Sequence, residues 1–417
     1  MDNKKGISLI VLVITIIVII ILASAVISSF SKNNPIDSAK EAKDVYNQTV
    51  IKEHVSLDIQ SMNLQFSLNN KEPNIEDYIQ ESLKYSTKIN NIGRITYDGI
   101  ETNLSLNKDF LLEENRHIIT GYWQNWNADS QSVNLKLVDV PEDYDIVAIA
   151  FGITNDGSPK GQVDFSVDEY LNSHLGGYTD DDFKNDIKSL KRRGQNIILS
   201  IGGAADVVTI DDESSKDNFV NSVYNLIQEY GFQGIDIDIE NGISPEYLSQ
   251  AIRELYDRVG PRFIVTLTPQ TVDYKMNRNK IVSGQYYELV KKIKDIVTIV
   301  NIQLFNSGSQ YGQDTVEYFP QTIDFVTGVT AILLENELSQ NQVGIGLHYL
   351  GAEKRGVTPQ IAVEGFDALL NGRAASGGAY MPLKPYSGLG GFMIWSINGD
   401  YKNSNSYLNE MINEFKK

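Results

Sequence analysis

From residue 118 to the C-terminus the chain alternates two patterns. Short apolar runs of strand-like character are each followed by a longer stretch whose apolar residues recur at helical spacing. The strand-like runs are Ile118–Tyr122, Asp145–Phe151, Asn196–Ser200, Gln233–Glu240, Phe263–Thr268, Ile299–Phe305, Gln342–Leu347 and Gly391–Trp395. A helix is expected from about Ser214 to Tyr230, just ahead of the fourth run. Regular strand–helix alternation predicts parallel βαβ units, because parallel neighbours need a crossover connection. Eight such units without a glycine-rich phosphate loop favour an α/β fold of the closed (β/α)8, or TIM, barrel type over a doubly wound open sheet. In each unit, polar or aromatic residues collect just past the apolar part of the strand. That is where such a barrel opens its active site.

The first 116 residues read differently. Met1–Gly6 carries Lys4 and Lys5, and Ile7–Ile27 is an almost unbroken apolar run. At ~1.5 Å per residue it is about long enough to cross a bilayer as a transmembrane helix. Three readings stay open. A signal peptide would be cut near Ala23-Ser24-Ala25 and the rest secreted. An uncleaved anchor would keep Lys4 and Lys5 in the cytoplasm. The third rests on likeness: Lys4-Lys5-Gly6-Ile7-Ser8-Leu9-Ile10 resembles a type IV prepilin leader. That resemblance implies cleavage after Gly6 and packing of the apolar helix among other pilin subunits. Val11 stands where the pattern carries Glu, which points to a minor, tip-located subunit or to no pilin at all. All three readings put the barrel outside the cytoplasmic membrane, and anchored or pilus-associated forms are favoured over free secretion.

Residues 31–116 read as a small α+β spacer or reduced pilin-like module. An amphipathic helix is expected from Ser38 to about Leu57, with apolar spacing at Ala39, Ala42, Val45, Val50 and Val55. Asn33-Asn34-Pro35 marks a break ahead of it. A short helix over Ile75–Tyr85 follows, then a hairpin over Gly93–Leu106 that turns at Asp98-Gly99. The chain thus divides into 1–30, 31–116 and 117–417.

The fourth run of the barrel carries the chemistry. In Gly231-Phe-Gln-Gly-Ile-Asp-Ile-Asp-Ile-Glu240, the residues Asp236, Asp238 and Glu240 fall on one face of a strand and Ile235, Ile237 and Ile239 on the other. A solvated antiparallel strand would show the same alternation. A strand of a parallel sheet is covered on both faces, so there three carboxylates must be buried or line a cleft. Burying three like charges costs too much to persist for packing alone, so the strand is read as catalytic or ligand-binding. Composition narrows the chemistry. The net charge of −18 disfavours nucleic acid and anionic polymers and favours a neutral substrate. Cysteine is absent, which excludes thiolate chemistry and disulfides. The four histidines (His54, His117, His174, His348) show no metal-ligand spacing, so neither a metal nor a cofactor is expected.

These residues also resemble a known family. Gly234-Ile-Asp-Ile-Asp-Ile-Glu240 is similar to the D-G-x-D-x-D-x-E signature of family 18 glycoside hydrolases, the chitinases and their relatives, with Gln233 in place of the first Asp. Further matches follow in order. Ser200-Ile-Gly202-Gly203 resembles the family's S-x-G-G strand, and Gly121-Tyr122-Trp123 its opening strand. Gln303-Leu-Phe305-Asn306 resembles the Q-Y-Y-N strand of plant class III and similar bacterial chitinases, and Trp395-Ser-Ile-Asn398 the last strand. The resemblance spans about Ile118 to the C-terminus. It implies Glu240, Asp238 and Asp236 as catalytic residues, and Tyr122, Gly202, Gly203, Gln270, Gln303, Phe305, Asn306 and Trp395 as substrate-binding ones. The implied partner is an N-acetylglucosamine polysaccharide, chitin or a related glycan, with no nucleic acid.

A glycosidase needs an acid for the leaving oxygen and a group that stabilises the oxocarbenium ion. Glu240, at the strand's outer end, suits the acid. Asp238 is too near to be an independent base across a sugar, but close like charges raise one pKa and keep an acid protonated near neutral pH. The resemblance then implies a retaining, substrate-assisted route. In it the N-acetyl oxygen attacks the anomeric carbon, Asp238 orients the oxazolinium and Asp236 shares the proton network. Trp395 would stack under the sugar. Phe305 replaces a family tyrosine whose hydroxyl holds the N-acetyl group, and Tyr311 is a candidate substitute. Two other classes compete: a weak or inactive barrel serving as an anchored N-acetylglucosamine-binding lectin, and a structural pilus subunit without carbohydrate affinity. About forty residues between the seventh strand and Gly391 leave room for one helix and loops, not an inserted domain. An open groove and endo-type cleavage are expected.

Overall fold

The computed structural model describes residues 35–415 except 91, 108 and 206. The leader-like segment and the apolar run over Ile7–Ile27 lie outside the described residues. Among the described residues, no helix is long and apolar enough to cross a membrane. The described residues divide into two compact units, 35–89 with Ile95–Leu104, and Asn90–Arg94 with 105–415.

In the first unit a helix runs over Pro35–Leu68, well past the expected end near Leu57. The extension follows from apolar residues that keep helical spacing: Val55, Ile59, Met62 and Phe66 are all buried. The helix Ile75–Ser82 begins with a capping box, in which the Asn74 side chain accepts the Asp77 N–H and the Asp77 carboxylate accepts that of Asn74. Strands β1 (Thr87–Ile89), β2 (Arg94–Tyr97), β3 (Ile100–Leu106) and β4 (Leu112–Glu114) form a sheet in that order. Asp98 and Gly99 have φ +49° and +77°, the left-handed pair that a two-residue hairpin turn requires.

The second unit is a barrel. Its strands are β5 (Ile118–Gln124), β6 (Ile146–Gly152), β7 (Asn196–Gly203), β8 (Gly234–Ile239), β9 (Ile264–Leu267), β12 (Ile299–Gln303), β15 (Val343–His348) and β16 (Gly391–Trp395). Each pairs in parallel with its neighbours, and β16 pairs with β5, so the sheet closes. Closure removes the doubly wound alternative. All eight strands fall on the runs expected from the sequence. Every residue of β7 and β8 is buried, as strands covered by helices outside and by side chains inside must be. The helix after β7 spans Glu213–Tyr230, capped by Asp212 at its start and by left-handed Gly231 at its end. The inner cluster holds Ile118, Tyr122, Ile146, Ala148, Ile198, Ile264 and Met393 together with Ile92 from the Asn90–Arg94 segment. The Arg94 guanidinium donates to the Thr298 carbonyl at 3.0 Å.

Two features were not visible in the periodicity. Strands β10 (Lys275–Met276), β11 (Val282–Ser283), β13 (Gln310–Tyr311) and β14 (Glu317–Tyr318) form a small antiparallel sheet in the order β11-β10-β13-β14. Two-residue strands are too short to show alternation. Gln233, at the start of β8, donates to the Asn196 side chain at 3.0 Å and accepts the Ile197 N–H at 3.1 Å. It ties two strands together at the closed end of the barrel. Between β15 and β16 the chain holds a 3-10 turn, one helix (Pro359–Asn371) and loops, in line with the spacing argument.

Candidate active site

A cleft of about 800 Å³ opens at the C-terminal ends of the barrel strands. Its lining includes Tyr122, Trp126, Phe151, Gly203, Asp238, Glu240, Thr268, Gln303, Phe305, Asn306, Met393 and Trp395. Strand alternation sends Asp236 and Asp238 inward from β8, and Glu240 follows just past its end.

Asp236 is deepest, and four hydroxyls surround it. Tyr122 Oη and Ser200 Oγ each donate to one carboxylate oxygen at 2.6 Å. Thr266 Oγ1 and Thr268 Oγ1 reach the other at 2.6 and 3.0 Å. Burial raises the pKa of Asp236 and the hydroxyls oppose that rise. Asp238 is pushed well above the usual carboxylate range by burial, then by the charges of Asp236 and Glu240. A hydrogen bond from Gln303 Nε2 at 2.9 Å works against these. Gln303 is itself held by the Thr268 carbonyl at 3.0 Å. Glu240, at the rim, is raised by burial, against the hydrogen bond it accepts from Gln270 Nε2 at 2.5 Å. No cation pairs with any of the three among the described residues. A column of carboxyls without a counter-charge must share protons, which is how an acid remains protonated near neutral pH.

An aromatic wall faces this column. Trp395 stacks on Phe151 with centroids 5.6 Å apart and planes 16° apart, and Phe151 stacks on Trp126 at 6.0 Å and 15°. Tyr122 tilts against Trp395 at 5.2 Å while its hydroxyl serves Asp236. Such a wall fits the apolar face of a pyranose ring. The peptide bonds Ala150–Phe151 and Trp395–Ser396 are cis.

The residues expected from the sequence distribute as follows. Glu240, Asp238, Tyr122, Gly203, Gln303, Phe305, Asn306 and Trp395 line the cleft. Asp236 lies beneath it and Gln270 acts on it through Glu240. Gly202 does not line it. With φ +114°, a Cβ there would meet the Asp238 carbonyl oxygen at 2.7 Å, so this glycine lets β7 pass close to β8. Phe305 is buried and edge-on to His348 at 5.4 Å. Tyr311 does not line the cleft; it sits in β13 with its hydroxyl on the Arg278 guanidinium, so it supplies no replacement for the missing hydroxyl. The sequence pattern does not single out Phe151, Trp126, Thr266 and Thr268 as site residues. Phe151 closes an apolar run like any core residue, and the two threonines look like ordinary strand formers. Only the barrel's curvature brings them to the carboxylates.

Several known proteins share this architecture. Chitinase Chi52 of Paenibacillus xylanexedens is 26% identical over 323 residues, covering 69% of this chain and 60% of the relative. Chitinase D of Niallia circulans is likewise 26% identical, over 70% of this chain and 60% of its own length. This chain thus spans about three-fifths of these relatives. Among solved structures, a Streptomyces coelicolor protein assigned as a chitinase A is 38% identical with a TM-score of 0.66, covering 72% of this chain and 98% of that one. The C-terminal domain of Legionella pneumophila ChiA is 26% identical with a TM-score of 0.58, covering 71% and 97%. Residues 118–363, more than half the chain, match the model of glycosyl hydrolases family 18, the family to which this protein belongs.

Proposed function

We propose that the chain is a cell-surface, chitinase-type hydrolase that cleaves β-1,4-linked N-acetylglucosamine polymers, with Glu240 as general acid. The observation that carries this reading is the Asp236–Asp238–Glu240 column, with no cation paired to it among the described residues and facing the Trp126–Phe151–Trp395 wall. Of the three carboxyls Asp238 is raised by burial and then by both neighbours, which favours its protonated form. Glu240, raised by burial, protonates the leaving oxygen. The three carboxyls of the column are spaced along one strand, too close together for two of them to flank a sugar as separate acid and base. This favours a retaining route in which the substrate's own acetamido oxygen attacks and Asp238 stabilises the cyclic cation. The single helix between β15 and β16 builds no extra wall over the cleft, which favours endo-type cleavage. The apolar run over Ile7–Ile27 is proposed to hold the protein at the membrane or among pilin subunits, with the barrel outside.

A second reading is favoured by one observation, Phe305 in the cleft with the Tyr311 hydroxyl turned to Arg278 instead of replacing the missing one. It is an anchored N-acetylglucosamine-binding lectin with weak turnover. The test is hydrolysis and binding of N-acetyl chitooligosaccharides by the full chain beside Glu240→Gln and Phe305→Tyr. Turnover that drops about a hundredfold or more in Glu240→Gln supports the enzyme. Binding without turnover, with hydrolysis gained in Phe305→Tyr, supports the lectin. Neither binding nor turnover would remove both.

A further inference from the structure

The helix Pro35–Leu68 has two apolar faces, and only one of them is used. Val55, Ile59, Met62 and Phe66 are buried, and Phe66 packs edge-on against Tyr78 at 5.0 Å. Tyr46, Leu57, Leu64 and Leu68 are exposed by 51 to 68%, and Val50 is half-buried. At 3.6 residues per turn, residues 46, 50, 57, 64 and 68 fall within about 40° of one another, on the side opposite the buried set. They make a straight, narrow ridge about 33 Å long at 1.5 Å per residue. Single exposed apolar residues are ordinary, but a continuous ridge is an unpaired packing seam.

We propose that this ridge pairs with the same ridge of a second copy of the chain. Two observations select that occupant. The spacing, Tyr46–Val50–Leu57–Leu64–Leu68, reads the same in both directions about Leu57. A twofold pairing therefore sets each of these five residues against another of the five, whichever way the helices run. The second observation is charge. Two copies of a chain of net charge −18 repel wherever acidic surfaces meet. The ridge is bordered by the uncharged Ser56, Gln60, Ser61 and Ser67, and Glu53 is the one acidic residue within it. The first unit thus offers a face on which like copies can approach. This assembly goes beyond the hydrolytic reading and does not depend on it.

Because the chain lacks cysteine, single cysteines test the seam directly. In the full chain in detergent micelles under mild oxidation, Leu57→Cys is expected to give disulfide-linked dimers, since Leu57 lies on the twofold in either orientation. Lys52→Cys, exposed but off the ridge, is expected to stay monomeric. Dimers of Leu64→Cys alone would show parallel helices, and dimers only on mixing Val50→Cys with Leu64→Cys antiparallel ones; either supports the seam. The double variant Leu57→Lys/Leu64→Lys should sediment as a monomer with unchanged helix content and unchanged chitooligosaccharide hydrolysis or binding. Leu57→Cys cross-linking no more than Lys52→Cys overturns the proposal. So does an intramolecular bond in Leu57→Cys/Ile17→Cys in place of dimers, which would give the ridge to the chain's own apolar run.

Discussion

At the scale of single residues, burial of the carboxyl column acts on the stability of the fold as well as on its chemistry. Asp238 has its pKa raised well above the ordinary value by burial and by two neighbouring carboxylates. In that situation the folded state binds a proton that the unfolded state has released. Between the unfolded pKa, near 4, and the raised folded one, stability therefore falls as pH rises, by about 1.4 kcal/mol per pH unit. Asp238→Asn removes the titrating group while keeping an oxygen to accept the Gln303 hydrogen bond. It is expected to raise the melting temperature near pH 7, to flatten the decline of stability above pH 4, and to lower hydrolysis. Thermal unfolding of both proteins at pH 4 and pH 7 checks this. Equal melting temperatures at pH 7 would mean that the column pays no such cost.

At the scale of elements, the strands were legible and the site only partly so. Eight short apolar runs at regular spacing specify eight barrel strands, and alternation in β8 marks which face carries the carboxylates. The helices likewise announce themselves by caps, as at Asp212 and Gly231. What alternation cannot show is which strands curve round to face each other. Tyr122 and Asp236 lie 114 positions apart, yet share a 2.6 Å hydrogen bond. Phe151 becomes part of the wall only because β6 sits between β5 and β7 in the closed sheet. The β7 end shows how tightly this is set. Gly203 has φ +92°, and a Cβ there would stand 2.7 Å from the Phe151 ring. Gly203→Ala would add backbone strain of about 1–2 kcal/mol and push Phe151 out of its stack. The expected result is a several-fold weaker affinity for chitooligosaccharides, with Glu240 and its Gln270 hydrogen bond untouched. Calorimetric titration of the Glu240→Gln background, with and without Gly203→Ala, reads this directly. Unchanged affinity would show that the wall does not bind sugar.

At the scale of the whole molecule, charge decides which polymers can enter. The protein carries −18, and besides the column carboxyls Asp238 and Glu240 the cleft is lined by Asp164, Asp168 and Glu169, with no lysine, arginine or histidine among its described lining residues. Asp164 is fixed in its charged form: despite partial burial, hydrogen bonds from Gln162 and Ser158 hold its carboxyl below the ordinary range. A cleft with low-dielectric walls concentrates the potential of such groups, so an anionic glycan meets repulsion both at a distance and at the wall. A neutral N-acetylglucosamine chain meets neither. The expectation is that oligosaccharides bearing carboxylates, such as those with lactyl or uronate groups, bind at least tenfold more weakly than uncharged ones of equal length at low ionic strength. Near 1 M salt the Debye length contracts to about 3 Å, and the part of the difference due to long-range repulsion should disappear while neutral binding stays constant. Binding isotherms for one neutral and one acidic oligosaccharide at two salt concentrations decide the matter. If the acidic ligand binds as well as the neutral one at low salt, discrimination rests on shape and hydrogen bonding inside the cleft, and the charge of the chain serves solubility instead.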